Sequence, residues 1–265
     1  MSLWQAIADR LSRTQAKPVS VGKPVSLGGG CINQAWWLPG RDGGWFIKVN
    51  GAEYEPMFEA EALALEELAA TGTITVPRPL CRGRWRDQTY LVLEYLPLSH
   101  CGSLAAETLG RQLAELHRRP MPYFGWQRDN TIGTTLQPNP RYDHWTAFWA
   151  EQRLGFQLEL ARQRGERTVL LDKGQRLVER LPNLLDHHTF PSLVHGDLWS
   201  GNMACTPLGQ PVIFDPAAYY GDREVDLAMS ELFGGFSPRF YAAYREAYPL
   251  AEGYKTRRTL YNLYH

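Results

Sequence analysis

What this sequence does without narrows its function before any motif is read. It has no excess of either charge, because Lys and Arg together number 28 and Asp and Glu number 28. No basic field is therefore available to hold nucleic acid. No uninterrupted apolar stretch reaches the roughly 18 residues of a membrane span. At the start of the chain Trp4, Ile7 and Leu11 stand at helical spacing beside Asp9 and Arg10, so an apolar core of signal-peptide length is missing too. Neither nucleic acid nor membrane is an expected partner, and a cytoplasmic location is the expectation. Cysteine is scarce: Cys31, Cys81, Cys101 and Cys205 are far apart and form no C-x-x-C pair. That argues against a zinc knuckle and a secreted disulfide scaffold, and leaves reduced thiols as the expectation. Repeats and low-complexity tracts are absent. With 265 residues, 44% of them hydrophobic, the chain can still bury a sizeable core.

What is there changes character along the chain. The opening stretch to about Leu11 reads as a short amphipathic helix. Val19 to Val25 and Ala35 to Leu38 read as strands flanking Gly28, Gly29 and Gly30, and Trp45 to Val49 as a compact strand. In Pro56 to Ala70, Phe58, Ala62, Leu65 and Leu68 recur at helical spacing. Val76-Pro77-Arg78-Pro79 cannot be a central strand, and Tyr90 to Tyr95 is an apolar strand. Beyond a connector near residue 96 the pattern turns helical: Leu104 to His117, Tyr142 to Arg164, about Lys173 to Leu185, and segments from Asp226 onward. Two short strands, Leu193-Val194 and Val212 to Phe214, enclose a loop rich in Asp, Asn and Gly. The expected class is α+β with two lobes, a sheet-rich 1–96 and a mainly helical 97–265, and a cleft between them.

The sharpest motif lies in that loop: His195-Gly196-Asp197-Leu198-Trp199-Ser200-Gly201-Asn202, followed by Asp215 after an apolar strand. Asp197 and Asn202 stand at the spacing of the kinase catalytic loop, H-x-D-x-x-x-x-N. Phosphoryl transfer from ATP needs a carboxylate to take the hydroxyl proton and oxygen ligands to hold Mg2+ against the phosphates. Asp197 is the candidate base, and Asn202 and Asp215 are the candidate metal ligands. Any one of these residues also suits a turn; the set of three between two strands points to the chemistry. His195 is expected to orient the loop through a backbone hydrogen bond. His187-His188 is read as solvated loop, lacking a spaced third ligand.

The other half of such a site is a phosphate lysine, its acidic partner and a covering loop. Lys48 follows the Trp45-Phe46-Ile47 strand, as the lysine does in V-A-I-K. Glu61 faces inward if Phe58 and Leu65 do, with Glu59 and Glu55 as rivals. Gly28-Gly29-Gly30-Cys31-Ile32-Asn33 fits a loop whose backbone N–H groups approach phosphates, departing from G-x-G-x-x-G at Asn33. Glu94, Tyr95 and Leu96 stand where a connector's backbone would meet adenine.

With these residues placed, the chain resembles the fructosamine kinase (ketosamine 3-kinase) family, within the aminoglycoside phosphotransferase and choline kinase-like superfamily. The strings that carry it are GGGCINQAWWL at 28–38, FIKVN at 46–50, MFEAEALALEEL at 57–68, FGWQRDNTIGTTLQPNP at 124–140 and FWAEQRLGFQLELA at 148–161. LVHGDLWSGNM at 193–203 and FDPAAYYGDREVDLAMSELFGGF at 214–236 complete the set. The resemblance implies a protein-kinase-like fold, a small antiparallel sheet lobe beside a larger helical lobe. It also implies ATP- and Mg2+-dependent phosphorylation of the 3-hydroxyl of fructosamine or ribulosamine adducts, leading to deglycation. The implied acceptor is a small ketosamine or a glycated protein lysine. Trp199, two residues past the base, would pack against the sugar. Asp129, in the stretch Asp129 to Gly133, would line the acceptor side, although that stretch also reads as a turn. Asp222 to Asp226 is expected to lock the loop after Asp215 through ion pairs. At Cys31, where glycine neighbours favour a reactive thiol, some relatives carry a redox switch that links two chains, so a monomer or a redox-linked homodimer is expected. Relatives of this kind usually continue past a segment like Leu260 to His265.

Two rivals keep or discard the chemistry. An aminoglycoside or choline kinase would bind a cationic acceptor with an acid-rich helix pair, whereas residues 142–165 are mixed, with Arg153, Arg162 and Arg164. A nucleotide-binding pseudoenzyme would have lost Asp197, Asn202 or Asp215, and none is lost.

Overall fold

The computed structural model of the protein describes residues 1–28, 32–41 and 43–265; the expectations for Gly29, Gly30 and Cys31 fall outside them. The chain opens on α1 (Leu3–Gln15), where the Ser2 side chain accepts from the Gln5 N–H, an N-cap that satisfies one orphan donor. Its buried residues, Leu3, Ile7, Ala8 and Leu11, form one stripe. Next come β1 (Val25–Leu27), β2 (Gln34–Leu38) and β3 (Trp45–Gly51), then α2 (Glu55–Thr71), β4 (Pro79–Trp85) and β5 (Gln88–Glu94). The strands make an antiparallel sheet in the order β1-β2-β3-β5-β4. Alternation along β3 sends Ile47 and Val49 into the cluster under α1, and turns Phe46 and Lys48 toward the cleft. Phe58, Leu65 and Leu68 of α2 join the larger core.

One strand expectation needs correction, and the expectation that the proline-rich run is no central strand holds. Of Val19 to Val25 only Val25 enters a strand, while Val21 makes a lone bridge to Gly40; Pro24, without an N–H, cannot extend the ladder. The proline-rich run ends in an edge strand, β4, with Pro79 at its first position, where a missing donor costs nothing.

The second lobe begins with α3 (Ser103–His117), which packs closely on α8 (Pro238–Ala247). Gly110 permits this, because a Cβ there would strike the Phe240 carbonyl. A hairpin of β6 (Asn130–Ile132) and β7 (Thr135–Gln137) occupies a stretch that also reads as a turn. The helix expected over 142–164 is present as α4 (Trp145–Trp149), a π-helical segment Ala150–Gly155 and α5 (Phe156–Gln163). Inside that π segment Arg153 is fully buried, its guanidinium over the Phe148 and Tyr219 rings and hydrogen-bonded to Pro138 O and Asn139 Oδ1. Then follow α6 (Thr168–Leu184), β8 (Ser192–Val194), β9 (Met203–Cys205), β10 (Pro211–Ile213) and β11 (Tyr219–Gly221). Helices α7 (Glu224–Glu231) and α9 (Tyr254–Asn262) flank α8. β8 pairs with β11 and β9 with β10, two short hairpin-like ladders that aim their loops at the cleft. Among the described residues no helix is long and apolar enough to cross a membrane.

The expectation of reduced thiols is overturned for two of the four cysteines. Ser99 and Cys205 exchange both backbone hydrogen bonds, at 2.7 and 3.0 Å. That bridge brings the connector against β9, and Cys101 and Cys205, with Cα atoms 5.1 Å apart, form a disulfide. A separation of 104 residues hid this pairing, because proximity comes from the bridge and not from spacing. Cys81 keeps a free thiol, which burial pushes up to about 11, an unreactive setting. Alkylation of the unfolded protein without reductant will leave Cys101 and Cys205 unlabelled, and prior reduction will add two labels by mass spectrometry. Four labels without reduction would refute the disulfide.

Candidate active site

The catalytic-loop stretch is held from behind by a buried carboxylate. Asp226, at the start of α7, accepts from the N–H groups of His195 and Gly196 at 2.7 and 2.8 Å, and from His117 Nε2 at 3.2 Å. Burial alone would raise its pKa; the bonds to His117 and His195 outweigh that and hold it below the ordinary carboxylate range. Gly196 has a φ of +78°, and a Cβ would collide with the Ala217 carbonyl, so glycine is required for the turn. His195, also buried, takes the orienting role. Its Nδ1 accepts from the Asp197 N–H at 3.3 Å, which leaves Nε2 to donate to Phe214 O at 3.1 Å. Burial lowers its pKa and keeps the ring neutral.

From that base Asp197 reaches the cleft. Asn202 Nδ2 donates to the Asp197 carbonyl at 2.9 Å and to its Oδ2 at 3.1 Å, and the Asn202 carbonyl accepts from Phe214 N–H at 3.1 Å. The second bond sets Asn202 beside the strand that delivers Asp215. Asp215 adopts a left-handed φ of +59°, a conformation uncommon outside glycine and concentrated at functional sites. Burial first, with Asp215 and Asp226 nearby, raises the Asp197 carboxyl to about 6 despite the Asn202 bond.

Lys48 closes the arrangement from the first lobe. Its Nζ lies 2.6 Å from Glu61 Oε1 and 2.6 Å from Asp215 Oδ1. Burial would lower the ammonium, but the two carboxylates outweigh it and hold it charged. Burial pushes Glu61 upward against the pull of Lys48. Of the two rivals, Glu59 pairs with Arg82 and Arg128 instead.

Lys48, Glu61, Asp197, Asn202 and Asp215 line one cleft of about 880 Å³ between the lobes. Gly28, Asn33, Lys48, Glu61, Glu94, Tyr95, Leu96, Asp197, Trp199, Asn202 and Asp215 contribute to it. Asp129 does not. It holds the Asn139 N–H at 2.7 Å and lines a separate groove, while its neighbours Asn130 to Gly133 reach the cleft.

Residues 3–265 match the family described as fructosamine kinase. The chain belongs to that family. It is 49% identical over 267 residues to a probable ketoamine kinase of Synechocystis, covering 99% of this chain and 88% of the relative. It is 41% identical over 256 residues to the chloroplastic protein-ribulosamine 3-kinase of Arabidopsis thaliana, covering 95% and 78%. A crystal structure of a putative fructosamine-3-kinase from Haemophilus somnus superposes with a TM-score of 0.90 at 32% identity, covering 98% of this chain and 88% of that one. An aminoglycoside phosphotransferase, at 15% identity and a TM-score of 0.68, covering 99% and 88%, shares the fold alone. This places the chain among two-lobed kinase-like phosphotransferases that use ATP.

Within this family site, some supports escaped the sequence reading. Asn50 Nδ2 donates to Ile32 O and Asn33 Oδ1 at 3.2 and 2.7 Å, clamping the end of the glycine-rich stretch; the FIKVN string contained it without revealing its contact. Asn130 donates to Ala218 O at 2.8 Å and accepts from Gln137 and Asn139, tying β6–β7 to the segment after Asp215. Asp222 to Asp226 does form an ion pair, but it ties α7 to α9 and not to the loop after Asp215. Glu224 pairs with Arg257 at 2.6 and 2.9 Å, and Asp222 accepts from Tyr261 Oη at 2.6 Å. His187 is part of that cluster, 2.7 Å from Asp222 through Nε2, and not the solvated loop residue its polar neighbours suggested. Arg257 already neutralises Glu224, which speaks against a cation among His187, Asp222 and Glu224.

Proposed function

We propose that this protein transfers the γ-phosphoryl group of ATP to the 3-hydroxyl of ketosamines, the fructosamine and ribulosamine adducts that sugars form with amines. The observation that carries the reading is the meeting of Lys48, Glu61, Asp215, Asn202 and Asp197 in one cleft of a family member. Residues 1–96 form the nucleotide lobe in this reading and 97–265 the catalytic and acceptor lobe. Adenine meets the backbone of Glu94 to Leu96, and Gly28 and Asn33 flank the phosphate loop. Lys48, aimed by Glu61, meets the α- and β-phosphates.

The donor set suits Mg2+. The amide nitrogen of Asn202 is spent on Asp197, which leaves its oxygen for a hard cation, and the Asp215 carboxylate is about half exposed toward the cleft. Bound there, the ion would neutralise charge on the phosphates. Asp197 orients the acceptor hydroxyl and takes its proton at Oδ1, the oxygen that Asn202 leaves free. A carboxyl held near 6 is a better matched base at neutral pH than one near 4. Trp199 packs on the sugar, and Asn130 to Gly133 face it across the cleft, with Asp129 fixing that hairpin from outside. The phosphorylated adduct then comes apart spontaneously, so the reaction serves deglycation, and we place it in the cytoplasm.

The test is nucleotide consumption with a synthetic fructosamine and ribulosamine, against an aminoglycoside and choline. Turnover of a ketosamine with Mg2+, abolished by chelation, is expected. Turnover of the aminoglycoside or choline alone would refute the acceptor assignment, and no turnover of any acceptor would refute the kinase.

A further inference from the structure

One aromatic side chain is left in water beside the acceptor end of the cleft. Phe233, 59% exposed, is the most exposed aromatic residue among those described. It lies against Trp199, which lines the cleft, with ring centroids 5.5 Å apart and planes at 68°. Trp199 is itself seated on Gly201, where any Cβ would run into the six-membered ring of the indole. The loop that carries Phe233 is anchored at both ends. Leu232 N–H donates to Met229 O, Phe236 N–H donates to Tyr241 Oη, and that hydroxyl donates to Ser230 O, each at 3.0 Å. Gly234 and Gly235, at φ +92° and +75°, make the sharp return. A fixed loop thus presents a phenyl ring outward and forgoes part of its burial, beside the residue best placed to meet the sugar.

A ketosamine differs from the parent sugar by a secondary amine on C1, three bonds from the hydroxyl-bearing C3 and cationic near neutral pH. The cleft has no carboxylate to spare for it among the described residues. Its acidic side chains are Glu61, Glu94, Asp197 and Asp215. Lys48 holds Glu61, Glu94 ends β5 at the connector that this reading gives to adenine, and the other two serve transfer. Aromatic faces attract cations without a formal charge. We propose that Phe233 and Trp199 together form the subsite for the protonated amine and the first methylenes of the acceptor, so that Phe233 selects amine-bearing sugars. This rests on the ketosamine kinase reading.

The measurement compares an N-alkyl ketosamine with its N-acetyl derivative, the same sugar without the charge. Each is measured as KM, or as an inhibition constant if the acetyl compound is not turned over. Phe233→Leu keeps apolar bulk and removes the ring; Phe233→Tyr keeps the ring. For the charged acceptor Phe233→Leu will raise KM about 3- to 10-fold, within the range a cation–π contact supplies. The neutral acceptor, KM for ATP and Tm will stay essentially unchanged, and Phe233→Tyr will stay within about twofold of the parent. Equal losses on both acceptors would reduce Phe233 to packing, and no loss in Phe233→Leu would remove the subsite. A parent enzyme that turns over no ketosamine overturns the ketosamine assignment as well, and shows this before any variant is made.

Discussion

Asp197→Asn will lower turnover by at least about 100-fold, as expected for a lost general base, while making the metal-free protein harder to unfold. Both effects come from the same setting. The Asp197 carboxyl stands at about 6 in the folded chain against an ordinary 3.8, chiefly because it is buried, with the carboxylates of Asp215 and Asp226 adding to the effect. A folded-state pKa above the unfolded one means that the native protein binds more protons between those values, so stability falls as pH rises from about 4 to 6 and stays low above. Ionised Asp197 therefore costs the fold about 1–3 kcal/mol at neutral pH. Asparagine carries no such charge and can still accept from Asn202. Thermal unfolding at pH 7.5 in EDTA will show Asp197→Asn raised by about 3–8 °C, and at pH 4 the two proteins will unfold together. Retained activity would remove Asp197 from the base role. An unchanged or lowered Tm at pH 7.5 would show that the site does not strain the fold through this charge.

The sequence carried the parts of this site whose chemistry is local. Asp197, Asn202 and Asp215 share a motif spacing, and Lys48 lies within a strand whose alternation alone sets which face it takes. The inward aim of Glu61 followed from Phe58 and Leu65 on the same helix. What escaped depends on contacts between distant segments. Nothing near Cys101 or Cys205 indicates that Ser99 bridges to β9. Asp129 and Asn130 are adjacent, yet strand β6 turns one outward and the other under Ala218, a register that a three-residue strand does not reveal in its pattern. The π-helical segment around Arg153 has no periodicity signature either, since one extra residue in a turn only rotates the aromatic stripe. Local propensity also misplaced the first strand, where Pro24 silences a ladder that Val19 to Val25 otherwise suits.

Lys48→Met will cost the protein both phosphate positioning and fold stability, and the two losses can be separated. Among the described residues Lys48 is the one side chain paired with buried Glu61, while its other partner, Asp215, is about half exposed. Removing one member of a buried pair leaves an uncompensated charge, at about 3–5 kcal/mol, whereas Asp215 can turn to water at little cost. The variant will therefore lose about 6–20 °C in Tm at pH 8. Glu61, already pushed upward by burial, rises further without the ammonium, so its penalty is absent where the carboxyl is protonated and grows as pH rises through its folded value. The deficit at pH 5 will be smaller than at pH 8. The double variant Lys48→Met with Glu61→Gln will recover most of the lost Tm and none of the activity, a coupling of the kind expected of residues in direct contact. Glu61→Gln alone will destabilise less than Lys48→Met, because Lys48 keeps Asp215 at 2.6 Å. A double variant as unstable as Lys48→Met would place the cost in lost packing of the lysine stem. Undiminished kcat/KM for ATP in Lys48→Met would remove the lysine from phosphate positioning, whatever its part in the fold.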